Sequence, residues 1–205
     1  MVNKKLLIVL VFFLLASTLA AGCATTNNNT SNPPAATNNQ PAVPGNDNPN
    51  QTLIASITTL AQQGKIINCE FPVKTTTIDD VEKKWGLADT TTYVAAAKGT
   101  YSAFAKYNVA FGWNKGMQIF EVRSFDSSLK NISLADIKLN LGTPAYDVKS
   151  NGQEIIGYYA GTEYKLLLVW AQTTDINPNP SLDHYSVLYP AGTVNSMAND
   201  PGRQW

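Results

Sequence analysis

Few side chains in this sequence could take part in nucleophilic or acid–base chemistry. The chain has one histidine, His184, and two cysteines, Cys23 and Cys69. A catalytic cysteine or serine needs a base within hydrogen-bond reach, so His184 is the imidazole available for that role. It lies between Asp183 and Tyr185 near the start of a predicted strand, where neighbouring side chains point to opposite faces. We therefore expect that Asp183 does not orient the ring, and we interpret His184 as a structural residue.

The carboxylates in or beside predicted strands are Glu121, Glu154 and Glu163. Two of them would have to converge to hydrolyse a glycosidic bond. Glu121 lies two residues from Arg123 on the same strand face, which favours a plain surface ion pair. The sequence also contains neither a glycine-rich phosphate loop nor a Gly-x-Ser-x-Gly nucleophile elbow. We assign no catalytic residue and expect a non-catalytic protein, with an envelope hydrolase as the alternative.

The loop DINPNPSLD at residues 175–183 places side-chain oxygens at alternate positions, as a calcium-binding loop does. Pro180 occupies the position where such a loop needs glycine for its sharp turn, and Ser186 stands where a bidentate glutamate would close the site. One histidine and one remaining thiol are also too few for a structural zinc site. We predict a solvated hairpin loop and no metal or cofactor, with calcium binding by this loop as the alternative.

The N-terminus has the pattern of an export signal. Lys4 and Lys5 precede an apolar run at residues 6–16, which is too short to remain as a membrane-spanning helix. The run ends in LAAGC at residues 19–23, which resembles a lipobox. We predict a signal peptide at residues 1–22, lipidation of Cys23 and anchoring to the lipid bilayer at the extracellular face of the cytoplasmic membrane.

Composition divides the mature chain into a tether and one domain. Residues 24–50 consist almost entirely of Asn, Thr, Pro, Ala, Gly and Gln, which cannot bury enough apolar surface to offset the entropy of ordering. We predict a lipidated cysteine and disordered tether at residues 23–50 and a single globular domain at 51–205. Lys and Arg together number 15, as do Asp and Glu, and the basic residues are dispersed, which excludes a nucleic-acid partner.

The thiol of Cys69 has no partner cysteine once Cys23 carries lipid. Cys69 is followed closely by Phe71 and preceded by Ile66 and Ile67. Free cysteine in apolar surroundings behaves as a small buried hydrophobe. We predict that Cys69 is buried, and its reactivity is left open.

Three helices are predicted. Leu53, Ile54, Ile57, Leu60 and Ala61 form one apolar stripe that Gly64 ends. Two short helices begin with capping-box pairs, Thr77 with Asp80 and Ser133 with Asp136, and end at a glycine. Six positions of the two short helices agree in kind and in spacing: Thr77/Ser133, Ile78/Leu134, Asp80/Asp136, Val81/Ile137, Trp85/Leu141 and Gly86/Gly142. This agreement predicts two related units, at about residues 51–130 and 131–205.

Each short helix is followed by β-rich segments that are separated by turn signals. The predicted strands occupy residues 91–97, 101–104, 108–113 and 117–125, then 145–148, 154–159, 164–171 and 185–189. Short loops between neighbouring strands favour antiparallel meanders. The predicted fold class is α+β, with short helices packed on one face of a curved antiparallel sheet that is built from two related helix-plus-meander units.

This plan resembles the tandem units of β-lactamase-inhibitor-protein-like folds. A closer resemblance is carried by KGMQIFEVRSF at residues 115–125, GQEIIGY at 152–158 and LDHYSVLYP at 182–190. The tail motifs GTVN, MA and DPGRQW, which lie between residues 192 and 205, belong to the same set. Together they are similar to the YjgB-like family of Gram-positive lipoproteins. That resemblance implies a surface lipoprotein and, because the family has no established activity, no site residues.

Aromatic residues are numerous, with four Trp, nine Tyr and seven Phe. Most are expected in the core, but Tyr158 and Tyr159 are adjacent and must face opposite ways, which leaves one for the surface. We expect a cell-surface binding or interaction module whose partner is a cell-wall glycan or an envelope protein. A protein inhibitor is a further alternative, on the basis of the fold plan. We also expect the tail at residues 199–205 to fold back against the sheet.

Overall fold

The computed structural model describes residues 48–193. The predicted signal peptide, Cys23, the tether as far as residue 47 and the tail beyond Thr193 lie outside the described residues. Within the described range the chain forms three α-helices and eight β-strands. No helix in this range is long and apolar enough to span a bilayer.

Helix α1, Pro49–Ala61, begins at Asn48, whose side chain accepts a hydrogen bond from the backbone of Asn50. Proline suits the first helical turn because it has no backbone N–H to leave without a partner. Three residues of the predicted stripe, Ile54, Ile57 and Ala61, are buried against the sheet. The chain turns away beyond the helix end through Gly64, whose φ is +71°.

Helices α2, Ile78–Trp85, and α3, Leu134–Leu141, both have the predicted capping boxes. Thr77 and Ser133 accept a hydrogen bond from the backbone at Asp80 and Asp136, and each aspartate accepts one in return. Both helices end at a glycine with positive φ, Gly86 at +90° and Gly142 at +71°. The sequence therefore predicted the start and the end of both helices correctly.

All eight strands belong to one antiparallel sheet, in the order β1-β2-β3-β4-β8-β7-β6-β5. The strands are β1 Thr90–Val94, β2 Gly99–Phe104, β3 Val109–Trp113, β4 Ile119–Ser124, β5 Tyr146–Ser150, β6 Gln153–Ala160, β7 Tyr164–Ala171 and β8 Leu182–Leu188. Each short helix is thus followed by a four-strand meander, and β4 pairs with β8 at the centre. The predicted α+β class and the antiparallel sheet are confirmed.

The main core lies between the helices and one face of the sheet. Buried side chains from α1, α2 and α3 form one cluster with Phe111, Trp170 and Tyr185 from the strands. The other face carries a smaller cluster of Phe120, Leu167, Leu188 and Ala97. We call these two surfaces the helix face and the open face.

A β-bulge interrupts each half of the sheet at the same place. Gly112 pairs with Glu121 but Trp113 pairs with Ile119, which leaves Phe120 without a partner in β3. Val169 pairs with His184 but Trp170 pairs with Leu182, which leaves Asp183 without a partner in β7. An extra residue of this kind breaks the alternation of side chains along its strand.

Candidate functional site

A cleft lies where β6, β7 and β8 meet at one end of the sheet. Its volume is about 390 Å³, and it is lined by Lys130, Gly152, Gln153, Trp170, Ala171, Ser181 and Asp183. Ligand-binding clefts range from about 300 to 1,000 Å³, so this one suits a small ligand or one residue of a polymer. Its lining includes a cation, a carboxylate, an amide and a hydroxyl group.

The bulge in β8 brings Asp183 and His184 together. Oδ2 of Asp183 lies 2.8 Å from Nδ1 of His184, and an ionised carboxylate can only accept, so the ring N–H donates. The expectation that Asp183 cannot orient the ring was therefore wrong. It assumed strict alternation along the strand, which the bulge removes. The imidazole is mostly buried and lies 4.9 Å from the ring of Phe125.

Asp183 also binds Lys130, which lies in the 3-10 turn Ser127–Asn131 between β4 and α3. Nζ of Lys130 lies 2.9 Å from Oδ1 of Asp183 and 3.2 Å from its backbone oxygen. The hydrogen bond from His184 and the charge of Lys130 hold the pKa of Asp183 well below its usual range. Asp183 is therefore an anion at neutral pH, and it accepts from His184 through Oδ2 and from Lys130 through Oδ1.

Trp170 forms part of the cleft wall, and its indole nitrogen Nε1 is buried with no hydrogen-bond partner in the described part of the chain. A buried donor without a partner costs about 1–3 kcal/mol. Trp113, which lies at the bulge between β3 and β4, donates from Nε1 to Oγ of Ser102 at 3.0 Å. Ser102 lies two residues along β2 from the strand partner of Trp113, and Ile156, two residues along β6 from the strand partner of Trp170, has no side-chain acceptor.

The acids considered for hydrolysis do not converge. Glu121 lies on the open face, where it accepts from Arg123 at 2.8 Å and from the hydroxyl of Tyr101 at 2.7 Å. Glu154 lies on the helix face and accepts from the hydroxyl of Thr173 at 2.7 Å. Glu163, beyond the end of β6, pairs with Lys74 at 2.6 Å. No two of these carboxylates share a face and a strand end.

The pair of Glu121 and Arg123 is present, but it is not the surface pair expected from the sequence. The Glu121 side chain is 1 % exposed and that of Arg123 is 27 % exposed. The guanidinium carbon lies 4.6 Å from the centre of the Tyr101 ring. Burial opposes the charge on Arg123, but Glu121 and Tyr101 outweigh it and raise the pKa of Arg123. The interaction is a buried charge cluster.

The loop at residues 175–183 uses several of its oxygens within the protein. Oδ1 of Asn179 accepts from the backbone of Ala135 at 2.8 Å, in the first turn of α3. The carbonyl of Pro180 accepts from Leu134 at 3.0 Å. Among residues 48–193, no group of three or more His, Cys, Asp or Glu side chains is placed to hold a metal ion.

Cys69 is buried beneath the sheet, as predicted. Burial raises the pKa of its thiol to about 11, which keeps the reactive thiolate rare at neutral pH. Tyr158 and Tyr159 also face opposite ways as predicted. Tyr158 donates to the carbonyl of Gly142 at 3.0 Å, whereas Tyr159 is 66 % exposed.

Residues 54–188 match the model of a protein family described as a domain of unknown function, DUF4309. This range covers both helix-plus-meander halves and every residue of the cleft. The chain belongs to the DUF4309 family. Within the part matched, the YjgB-like resemblance seen in the sequence is therefore confirmed.

A solved DUF4309 structure has the same fold. The crystal structure of YjgB from Bacillus subtilis subsp. subtilis str. 168 is similar over 68 % of this chain and 97 % of that chain, with a TM-score of 0.51 and 17 % sequence identity. At this identity the likeness concerns the fold alone. A comparison of the present chain with curated proteins found no match.

Proposed function

We propose that the chain is a non-catalytic binding module held outside the cytoplasmic membrane, and that its cleft binds a glycan of the cell wall. The lipobox-like sequence before Cys23 supports a lipid anchor, and the polar composition of residues 24–47, which precede the cap of α1, supports a flexible tether. Such a module would reach into the wall while remaining attached to the bilayer. Nucleic acid is not expected as a partner, since the basic residues are dispersed.

The observation that carries this proposal is a polar cleft whose wall includes Trp170, a residue whose buried indole N–H has no hydrogen-bond partner among residues 48–193. Buried polar groups in proteins nearly always have partners, and an exception needs an explanation. A bound water would supply the missing acceptor, and a ligand oxygen would do so only if its binding shifted the cleft wall, because the indole nitrogen is buried. The first half, where Ser102 satisfies Trp113, has no such need.

Sugar hydroxyls fit the remaining lining groups. They both donate and accept, so they can bind the carboxylate of Asp183, the ammonium of Lys130 and the amide of Gln153. The side chains of Lys130 and Asp183 are 55 % and 50 % exposed, which leaves room for a ligand to reach them. Asp183 would repel a purely anionic ligand, and Lys130 would repel a purely cationic one.

We also infer that the two halves descend from one duplicated unit. The backbone N–H of Ile78 binds the carbonyl of Met117, and that of Leu134 binds the carbonyl of Pro180. Thr77 forms an isolated antiparallel β-bridge with Gln118, and Ser133 forms one with Ser181. The two bulges support the same match. In that comparison Phe120 corresponds to Asp183, so an apolar position in one unit is a polar cleft residue in the other.

The experiment is retention of the chain from residue 23 onward, with Cys23→Ser, on purified cell wall. Wild type should be retained, and Lys130→Ala and Gln153→Ala should weaken retention about tenfold each, the usual effect of losing one or two direct contacts. Lys84→Ala on α2 is the control, since Lys84 pairs with Glu70 at the surface of the other half. Absence of wall binding by wild type, or retention of both cleft variants at the wild-type level, would overturn the proposal.

The bond between Asp183 and His184 favours a second candidate, an envelope hydrolase in which His184 activates water. A carboxylate that orients an imidazole is a common arrangement in general-base catalysis. Incubation of the protein with purified wall should then release soluble fragments, and His184→Gln should abolish the release. Equal release by wild type and His184→Gln, or none from either, would remove this candidate.

A further inference from the structure

The two edges of the sheet differ in how they are protected. The edge strand β5 carries Asp147 and Lys149, whose side chains reach Lys138 at 3.6 Å and Glu154 at 3.6 Å. The other edge strand, β1, has the sequence TTTYV with no charged residue, and all five of its residues are exposed.

An uncovered edge strand presents backbone N–H and C=O groups to any strand that can pair with it. Proteins usually block such edges with charge, proline, a bulge or a cover. Strand β1 contains no proline and pairs with β2 in unbroken register over all five residues. Exposed apolar side chains also gather here, with Leu87 85 %, Tyr93 62 % and Val94 38 % exposed.

We propose that β1 pairs in antiparallel fashion with β1 of a second copy of this chain. In an antiparallel twofold contact the central residue meets its own counterpart and the residues on either side of it meet each other, so a strand with several like charges would bring them together. Strand β1 avoids this conflict. With Thr92 at the centre, Tyr93 and Val94 of one copy lie opposite Thr91 and Thr90 of the other. Aromatic and β-branched residues are the types that favour cross-strand pairing.

Charges at the two ends of β1 suit the same arrangement. Asp89 precedes the strand, and Lys98 lies in the turn that follows it. Antiparallel pairing places the Asp89 end of one copy beside the Lys98 end of the other. The pairing joins two eight-stranded sheets into one continuous sheet.

The contact is small. Two five-residue strands bury less than the roughly 1,200 Å² of a stable standard interface. The dimer is therefore weak in solution and depends on protein concentration. Confinement of both copies to one membrane raises the fraction paired without any new contact.

Sedimentation equilibrium tests the proposal directly. The chain from residue 23 onward, with Cys23→Ser, should dimerise at high concentration, and Thr92→Lys should weaken the dimer about tenfold or more, because lysine is a usual edge-blocking residue. Leu139→Lys, at an exposed position of α3, is the matched control and should leave the dimer unchanged. Circular dichroism should show the same secondary structure for all three proteins.

Oxidative cross-linking gives a second readout. Single variants Thr91→Cys, Thr92→Cys and Tyr93→Cys are compared, and the one whose position faces its own counterpart should form a disulfide-linked dimer. Lys149→Cys, in β5, should not form one. A strictly monomeric protein with no preferential cross-link would overturn the proposal. A dimer that survives Thr92→Lys would overturn it as well, since another surface would then hold it.

Discussion

Oδ2 of Asp183 lies 2.8 Å from Nδ1 of His184, although the two residues are neighbours in one strand. The β8 bulge makes this contact possible, and Lys130 completes it from the turn before α3. The same three side chains tie the second meander to the segment that connects the two halves.

We expect Asp183→Asn to lower the free energy of unfolding by about 0.5–1 kcal/mol at pH 7, since the side chains of Asp183 and Lys130 are half exposed and solvent screens their interaction. The pKa of Asp183 is lowered in the folded state. Its stabilisation is therefore present above the unfolded value of about 3.9 and is lost as the pH falls through the folded value. Urea unfolding at several pH values should show the variant and wild type converging below about pH 4.

Asp175→Asn is the control for that series. Asp175 lies in the adjoining loop, is exposed, and makes no ion pair among the described residues. The free energy of unfolding of the Asp175→Asn variant should match that of wild type at every pH. A constant difference between Asp183→Asn and wild type down to pH 2 would contradict the assigned charge interaction.

Glu121→Ala should destabilise the protein by about 3 kcal/mol, because it leaves the largely buried guanidinium of Arg123 without its carboxylate. The hydroxyl of Tyr101 loses its acceptor in the same variant. Chemical denaturation measures the change. Glu70→Ala, which breaks the exposed pair with Lys84, should cost less than about 1 kcal/mol. Similar losses for the two variants would refute the buried cluster.

Gly112→Ala should destabilise the fold by about 1–3 kcal/mol, as expected for overpacking. A Cβ at this position would lie 2.7 Å from Cε1 of Tyr101 and 3.1 Å from Cε2 of Phe120. Gly116→Ala is the matched control in the neighbouring turn, where the nearest atom is Oδ1 of Asn114 at 3.3 Å. Thermal unfolding should give a lower melting temperature for Gly112→Ala than for Gly116→Ala. Equal melting temperatures would disprove the close packing of Tyr101 and Phe120 over Gly112.

Cys69 should react slowly with a thiol reagent while the protein is folded. Its thiol has a pKa of about 11 instead of the ordinary 9.0, which lowers the thiolate fraction at pH 8 by about 100-fold. Burial slows the reaction further. In the Cys23→Ser chain, reagent absorbance should show one thiol that reacts at the ordinary rate only in denaturant. Rapid labelling without denaturant would contradict this assignment.

Much of the fold could be predicted from the residues themselves. Capping pairs, apolar stripes and terminal glycines define α1, α2 and α3, because these signals act within a few residues of one another. Turn residues between β-prone segments likewise indicated the meanders, with most strand ends within a few residues of those predicted. The buried state of Cys69 also followed from its immediate neighbours.

The cleft could not be predicted in this way. Its lining comes from the turn before α3, the β5–β6 turn and the ends of two strands, so Lys130 and Gln153 carry no local signal of their role. The missed bond between Asp183 and His184 depends on a bulge, and a bulge is defined by the register between strands. Trp170 stands out only by comparison with Trp113, whose bond to Ser102 is itself known from the tertiary structure.

The sequence by itself determined the helices, the antiparallel meanders and the family, since each depends on patterns that are read along the chain. The tertiary structure alone decided which side chains meet across strands. It gave Asp183 two partners, buried the charge pair of Glu121 and Arg123, and left the indole N–H of Trp170 without an acceptor in the part of the chain that the structure describes. The physical reason is that pairing register and burial are properties of the whole sheet, and no short segment encodes them.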